Sequence, residues 1–427
     1  MQLDTSLIKD IEAVCLDQKN ELVSFTCDLV SEPSLLGEEA SAQRVMAQTF
    51  ADMGLDIDRF AIDHDALKHE PGYSPSLGEW DGHENIVGIH RPKNRTGHSL
   101  ILNGHIDVVP VGSSELWSSP PFSPTVNGDR LYGRGSGDMK AGIAAYVFAF
   151  KALLKLGFKP AAEVYLQSVV EEECTGNGAL ACLHRGYRAD AAIIPEPFNE
   201  TIMSAQVGVM WLQIDVTGKP AHVLNDTTGT NAIESAFKIW NHLKKLATAW
   251  NQNKGQHQPF SDHDAPIKFN LGKINGGEWA SSLPTQCRME VRCGFYPGED
   301  PKDVRHAIES HLKNAVTDDQ ELANVSYQIS YGGFQSPGCI VNVNDPFITL
   351  LSDTHHNVTG QQPELFASAA TTDVRSFQLY GNIPSTCYGP EAQNIHGIDE
   401  SVSIDSMATV SRVLSQFIAR WCGLEKI

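Results

Sequence analysis

"AEVYLQSVVEEECTGNG", residues 162–178, decides the fold. Its first half is an apolar run with the Val and Leu content of a strand buried in a parallel sheet. Its second half sets Glu171, Glu172 and Glu173 side by side, ahead of a cysteine and two glycines. Burying even one unpartnered carboxylate is costly. Either the three are solvated at a turn, or some of them hold a cation. Working outward, "MKAGIAAYVFAFKALLKLG" (139–157) reads as a helix, with Asp138 as N-cap and Gly157 just past its end. "SLILNGHID" (99–107) and "ADAAIIPEP" (189–197) read as two more buried strands. Strands alternating with helices imply an α/β sheet covered by helices on both faces.

The texture changes near Gln206. "VGVMWLQIDVTG" (207–218) alternates like a half-exposed strand. A helix at about 231–250 follows, then strands at 266–277 and 286–296, a helix at about 301–316 and a strand at 323–332. That β-α-β-β-α-β order is the split βαβ pattern of a small two-layer domain. Helical patterns return at 345–358 and 406–423. The expected organisation is one large α/β domain, residues 1–206 and 333–427, interrupted by an α+β insert, 207–332. The polar stretch 250–266 reads as a surface loop of the insert.

Composition narrows the function. A chain of 427 residues suggests two or three domains. A formal net charge of -20 argues against nucleic acid and anionic membrane as partners, because both need clustered Lys and Arg. No apolar run approaches a membrane span, and the first thirty residues read as an amphipathic helix, not a signal peptide. The nine scattered cysteines, without a CxxC, fit reduced thiols in a cytoplasmic protein.

Several metal-ligating side chains sit at the carboxyl ends of the expected strands. His105 ends "SLILNGH", Glu172 and Glu173 end "VYLQSVVEE", and Glu196 ends "AAIIPE". Open α/β sheets form their sites outside those ends. Asp138 approaches the same edge after "YGRGSG". Singly, a histidine there is structural, Asp138 is a cap and the glutamates are solvated. Together they favour a cation site. The glycine loop "GRGSGDMKAG" does not fit a phosphate cradle. A GxGxxG from Gly133 or Gly135 would need glycine at Asp138 or Lys140, and Lys140 lacks the flanking residues of a Walker A loop.

Taken in order, "NGHIDVVP", "GRGSGDMKAG", "EEECTGNGA", "PEP", "GKPAH" and "GPEAQNIHGIDE" resemble the two-zinc peptidases and deacylases. That family is typified by acetylornithine deacetylase, succinyl-diaminopimelate desuccinylase, aminoacylase and glutamate carboxypeptidase. The resemblance implies a zinc-exopeptidase-like mixed sheet with the insert as lid and dimerisation domain. It implies two zinc ions per chain, with cobalt or manganese as substitutes. His105 and Glu196 would bind one, Glu173 and His396 the other, and Asp138 both. Asp107 would orient the His105 imidazole. Glu172 would be the general base, and His222 of "GKPAH" would serve a partner subunit's site in a homodimer. Glu171 is left as structural and Cys174 as a packed residue. In a regular strand, Glu172 and Glu173 would point to opposite faces. Both reach one site only if the chain leaves extended geometry, which "CTGNG" allows.

The implied reaction is hydrolysis of a small N-acyl amide by metal-activated water. Three other readings stand beside it: a metallo-exopeptidase of the same family, a non-catalytic binding relative, and a thiol hydrolase using Cys174. Neighbouring carboxylates disfavour a Cys174 thiolate. Relatives acting on amino-acid amides carry an asparagine where "WASSLP" places Ser281, whereas Arg292 of "MEVRCG" matches their lid arginine. "GGEWASSLP" and "VRCG" are more similar to the branch containing formylaminopyrimidine deformylase. Thr372 and Asp373 of "SAATTDVRSF" are expected to line the pocket, with Arg375 facing either substrate or a core salt bridge.

Overall fold

The computed structural model describes residues 3–78, 83–322 and 325–427. The centre is a six-stranded sheet in the order Asp56–Ala61, Glu84–His90, Val164–Val169, Leu100–His105, Ala191–Ile194, Ser385–Cys387. The last four strands are mutually parallel and Glu84–His90 runs antiparallel to both its neighbours, so the sheet is mixed. Helix Ala141–Lys155 packs against the closing helix Ile404–Trp421, and Thr5–Asp17 lies against both. Helix Ala40–Asp52 covers the strand Glu84–His90. On another side Val87, Ile89 and Val169 pack with Cys182 and Tyr187 beside the helix Asn177–His184. Ala141 to Phe150 are all buried, which is why this helix reads as apolar all round.

Register aligns the future site. His105 pairs with Val169, so it stands beside the start of the glutamate triplet. Leu102 pairs with Ile193, so His105 and Glu196, each three residues further on, arrive at one level.

The second sheet has the order Phe269–Gly276, Gln286–Phe295, Gly208–Thr217, Ser326–Ser336, all antiparallel. Helices Ala232–Gln252 and Pro301–Asp318 pack together and share a separate core with it, through Ile214, Ile239, Leu243, Met289 and Ile308. The chain order is β-α-β-β-α-β, as read from the sequence. Its last strand runs to Ser336, past the expected boundary at 332, while the expected start at 323–324 lies outside the described residues.

Three local expectations change. Asp138 is not a helix N-cap: it has φ -110° and ψ 96° in an irregular turn, and the helix starts at Ala141. The N-terminal amphipathic segment is two helices, Thr5–Asp17 and Lys19–Ser31, joined at Gln18. The polar loop 250–266 is anchored by the fully buried Phe260. All nine cysteines are free thiols, and no helix among the described residues is long and apolar enough to cross a membrane.

Helix Ala141–Lys155 approaches the end of the Ala191–Ile194 strand so closely that a methyl at Gly142 would lie 2.0 Å from the Pro195 carbonyl oxygen. Gly142→Ala is therefore expected to cost about 1–3 kcal/mol in urea unfolding. Gly255→Ala, where nothing lies within 4 Å, should stay within about 0.5 kcal/mol of the parent.

Candidate metal centre

The strand ends bring five side chains together. His105, buried, has its Nε2 3.1 Å from Asp138 Oδ1 and 3.7 Å from Glu196 Oε1. The second carboxylate oxygen of Asp138 faces a different imidazole, His396 Nε2, at 3.2 Å. His396 Nε2 is also 3.2 Å from Glu173 Oε1. Asp138 thus lies between two histidines, one oxygen toward each, while Glu196 and Glu173 flank opposite ends. Within 4.8 Å of one another lie ligand atoms of His105, Asp138 and Glu173, and separately those of His105, Glu172 and Glu196. Glu172 is buried, its Oε1 accepts no hydrogen bond, and the nearest cation, Arg375 Nη1, is 3.8 Å away.

The electrostatics demand positive charge. Burial, then the charge of Asp373, pushes Glu172 well above the usual carboxylate range. Burial, then the charge of Asp138, does the same to Glu196. Burial opposes ionisation of Asp138 too, but hydrogen bonds from His105 and His396 outweigh it and hold this carboxyl far below its ordinary value. A nitrogen-and-oxygen donor set with this excess of carboxylates fits divalent cations of the zinc, cobalt or manganese type.

Backbone chemistry aims these side chains. The His105 ring is fixed through Nδ1, 2.8 Å from the Asp107 backbone carbonyl, which leaves Nε2 free to ligate when the ring is neutral. The expected carboxylate contact is replaced by this one, since Asp107 Oδ1 stands 3.8 Å from Nδ1. The Asp107 carboxylate instead accepts the amides of Glu172 and Glu173, at 3.3 and 3.1 Å. The departure from extended geometry comes earlier than "CTGNG". It falls at Glu171, a non-glycine residue at φ 63°. Its buried carboxylate accepts from Thr175 Oγ1 at 2.6 Å and Asn177 Nδ2 at 3.1 Å, and pairs with His64 and His83. Four partners offset the strain of a left-handed glutamate. Sequence patterns miss the two histidines, because residues 64 and 83 lie far from any motif.

The remaining expected residues are placed differently. Arg292 donates to the backbone carbonyls of Lys268 and Ala369, at 3.1 and 2.9 Å. Thr372 is buried with its hydroxyl on Gln206 Oε1 at 2.6 Å. Asp373 is fully buried, and neither carboxylate oxygen accepts a hydrogen bond. Arg375 is a core residue, bonded to the Thr372 and Thr175 carbonyls. His222 and Ser281 sit on exposed loops of the second unit. His222 Nδ1 accepts from the Leu224 amide at 3.1 Å, and its backbone bridges to Ser282.

The Glu171 network carries a pH signature. Burial pulls the His83 imidazole down, but the Glu171 and Glu39 carboxylates outweigh it and raise it from 6.5 to about 9. A raised folded value stabilises fully below the unfolded value and is lost as pH rises through the folded one. Unfolding free energy should fall by up to ~3 kcal/mol between about pH 6.5 and 9. Urea melts of His83→Gln should lack most of that slope.

Comparison with known proteins identifies the family. The model of peptidase family M20/M25/M40 matches residues 101–420. The N-formyl-4-amino-5-aminomethyl-2-methylpyrimidine deformylase of Bacillus subtilis (strain 168) is 31% identical over 375 residues, covering 82% of this chain and 87% of the relative. The succinyl-diaminopimelate desuccinylase of Delftia acidovorans is 26% identical over 408 residues, covering 92% and 95%. The crystal structure of human carnosine dipeptidase 1 superimposes with a TM-score of 0.79 at 13% identity, covering 97% of this chain and 99% of that one, a likeness of fold. With motifs, sheet and sequence in agreement, this chain belongs to peptidase family M20/M25/M40.

Proposed function

We propose that the chain is a metal-dependent deacylase that hydrolyses the amide bond of a small N-acyl compound. The observation that carries this reading is Asp138, with one oxygen toward each of two histidines, and beside it the buried Glu172, whose Oε1 accepts no hydrogen bond. His105 and Glu196 would hold one zinc ion and Glu173 and His396 the other, with Asp138 shared. Bound cations would supply Lewis-acid polarisation of the acyl carbonyl and acidify water. Glu172 accepts a proton from the attacking water as the new C–O bond forms, then delivers it to the amine nitrogen as the C–N bond breaks. Burial makes Glu172 a stronger base than an exposed glutamate. The similarity to a deformylase and a desuccinylase supports a small acyl group.

Residues 207–332 act in this proposal as lid and dimerisation unit of a cytoplasmic homodimer. His222, exposed and without a contact to the centre of its own chain among the described residues, would stabilise the oxyanion in a partner's site. Arg292, Ser281, Thr372 and Asp373 are the proposed substrate-side residues. Arg292 would reach substrate only by exchanging its two carbonyl partners for it.

Metal analysis of purified protein should find about two ions per chain. A chelator should abolish turnover of N-formyl, N-acetyl and N-succinyl test amides; full activity in metal-free protein would sink the reading. Glu172→Gln should keep its metal and lose ~10²–10⁴-fold in kcat. Glu173→Gln should also bind metal more weakly.

The shared site has its own test. Mixing inactive Glu172→Gln with inactive His222→Ala should restore turnover after subunit exchange, because one site then receives an intact copy of each. Proven exchange without recovered activity would count against the shared site while leaving the metal chemistry intact.

A further inference from the structure

The Asp138 and His396 loops are joined by a buried ion pair to which the sequence motifs assign no role. Arg134 and Glu400 are both 1% exposed and salt-bridged through Arg134 Nη1 and Glu400 Oε2. The other Glu400 oxygen, Oε1, accepts the backbone amides of Gly137 and Asp138, at 2.9 and 3.0 Å. The other Arg134 nitrogen, Nη2, donates to the carbonyls of Gly397 and Pro110, at 3.1 and 3.3 Å. Gly397 adjoins His396, and the Arg134 guanidinium lies 5.2 Å from the Trp117 ring centroid.

One end of the pair therefore grips the backbone of the residue between the two imidazoles. The other grips the backbone beside one of those imidazoles. The grip on the His396 side opposes real strain, since Asn394, His396 and Asp399 all have φ between 53° and 62°. A half-exposed histidine in such a loop would not hold its ring against Asp138 unaided. Asp399 supplies only an outer anchor, accepting the Ser118 amide at 2.8 Å and hydroxyl at 2.7 Å. An Arg–Glu pair this deep is weak evidence for net stability, because desolvation offsets most of its attraction. Its geometry fits a different purpose.

Resting on the metal-dependent reading above, we infer that Arg134 and Glu400 are positioning residues that set the separation of Asp138 and His396, and so preorganise the second metal position. Neither touches the reacting atoms. The pair couples the two loops through backbone groups, so the Asp138 and His396 side chains remain free to ligate.

The test is titration of chelator-treated protein with cobalt(II), followed by its visible absorption and by calorimetry. Two variants are compared with the parent. Arg134→Lys keeps a charge beside Glu400 but cannot also reach both carbonyls. Arg134→Met with Glu400→Gln removes both charges, so no orphan ion remains. Each variant should bind one cobalt ion within about threefold of the parent and the other at least tenfold more weakly, without activity being measured. Variants that bind both ions like the parent, whatever their melting temperature, overturn the inference. A parent protein that binds no cobalt defeats instead the metal-dependent reading on which it rests.

Discussion

Like-charge repulsion at one sheet edge is the constraint around which the molecule is arranged. Asp138, Glu172, Glu173 and Glu196 converge within a few ångströms of His105 and His396, largely out of reach of water. In a low-dielectric interior such a group is tolerable only with compensating positive charge. Two imidazoles supply part of it when protonated. Divalent cations supply it better, and ligation needs those imidazoles neutral, so metal loading and proton release are linked in this centre.

Holding mutually repelling groups in place falls to the backbone. Asp107 clamps the amides of Glu172 and Glu173, Glu400 clamps those of Gly137 and Asp138, and Glu171 pins the turn between strand and helix. In each case a carboxylate behind the centre accepts main-chain or side-chain donors and leaves the front carboxylates to face the two histidines. Lys140 works in the same manner from the cationic side. It is buried, and its Nζ donates to the Leu29 and Glu32 carbonyls at the end of the second helix, at 2.8 and 2.9 Å. Burial depresses that ammonium to about 7, so its charge is itself held at some cost beside the Asp138 turn.

How much was legible in the sequence follows from this division. Strands reveal themselves through apolar runs, so the level of His105, Glu173 and Glu196 on one edge could be read before any coordinates. Asp138 approaches the same edge after its glycine loop, and His396 is reached only through a family motif. Their supports are not legible in this way: His64 and His83 reach Glu171 across more than 80 residues of chain, with Glu39 paired to His83 behind them, and no periodicity encodes such a meeting. Arg134 and Glu400 lay inside quoted motifs, yet nothing in the string says that they face each other. Asp138 misled as an N-cap because an acid before an apolar helix is the ordinary capping signal, and here the side chain is turned toward two histidines instead.

The second sheet meets the first unit through an apolar cluster that includes Ala205, Val209, Phe260, Tyr296 and Phe334, and through hydrogen bonds beside it. Arg292 crosses from the sheet to the Ala369 carbonyl. Gly333 donates to the Pro75 carbonyl and Gln335 to the Ser74 hydroxyl, while Ser74 is fixed by Asn177, the same residue that supports Glu171. The end of the strand Ser326–Ser336 is therefore tied, through two hydrogen-bonded residues, to the turn that aims Glu172. Gly333 at φ 62° gives that strand a bend that a residue with a side chain would resist, and a Cβ there would meet Trp211 at 2.5 Å. Arg292 makes a second link, since its two acceptors, Lys268 and Ala369, belong one to each unit. Capture of substrate by Arg292, as proposed above, would release the Ala369 carbonyl and so remove one of the bonds that hold the second sheet to the first unit.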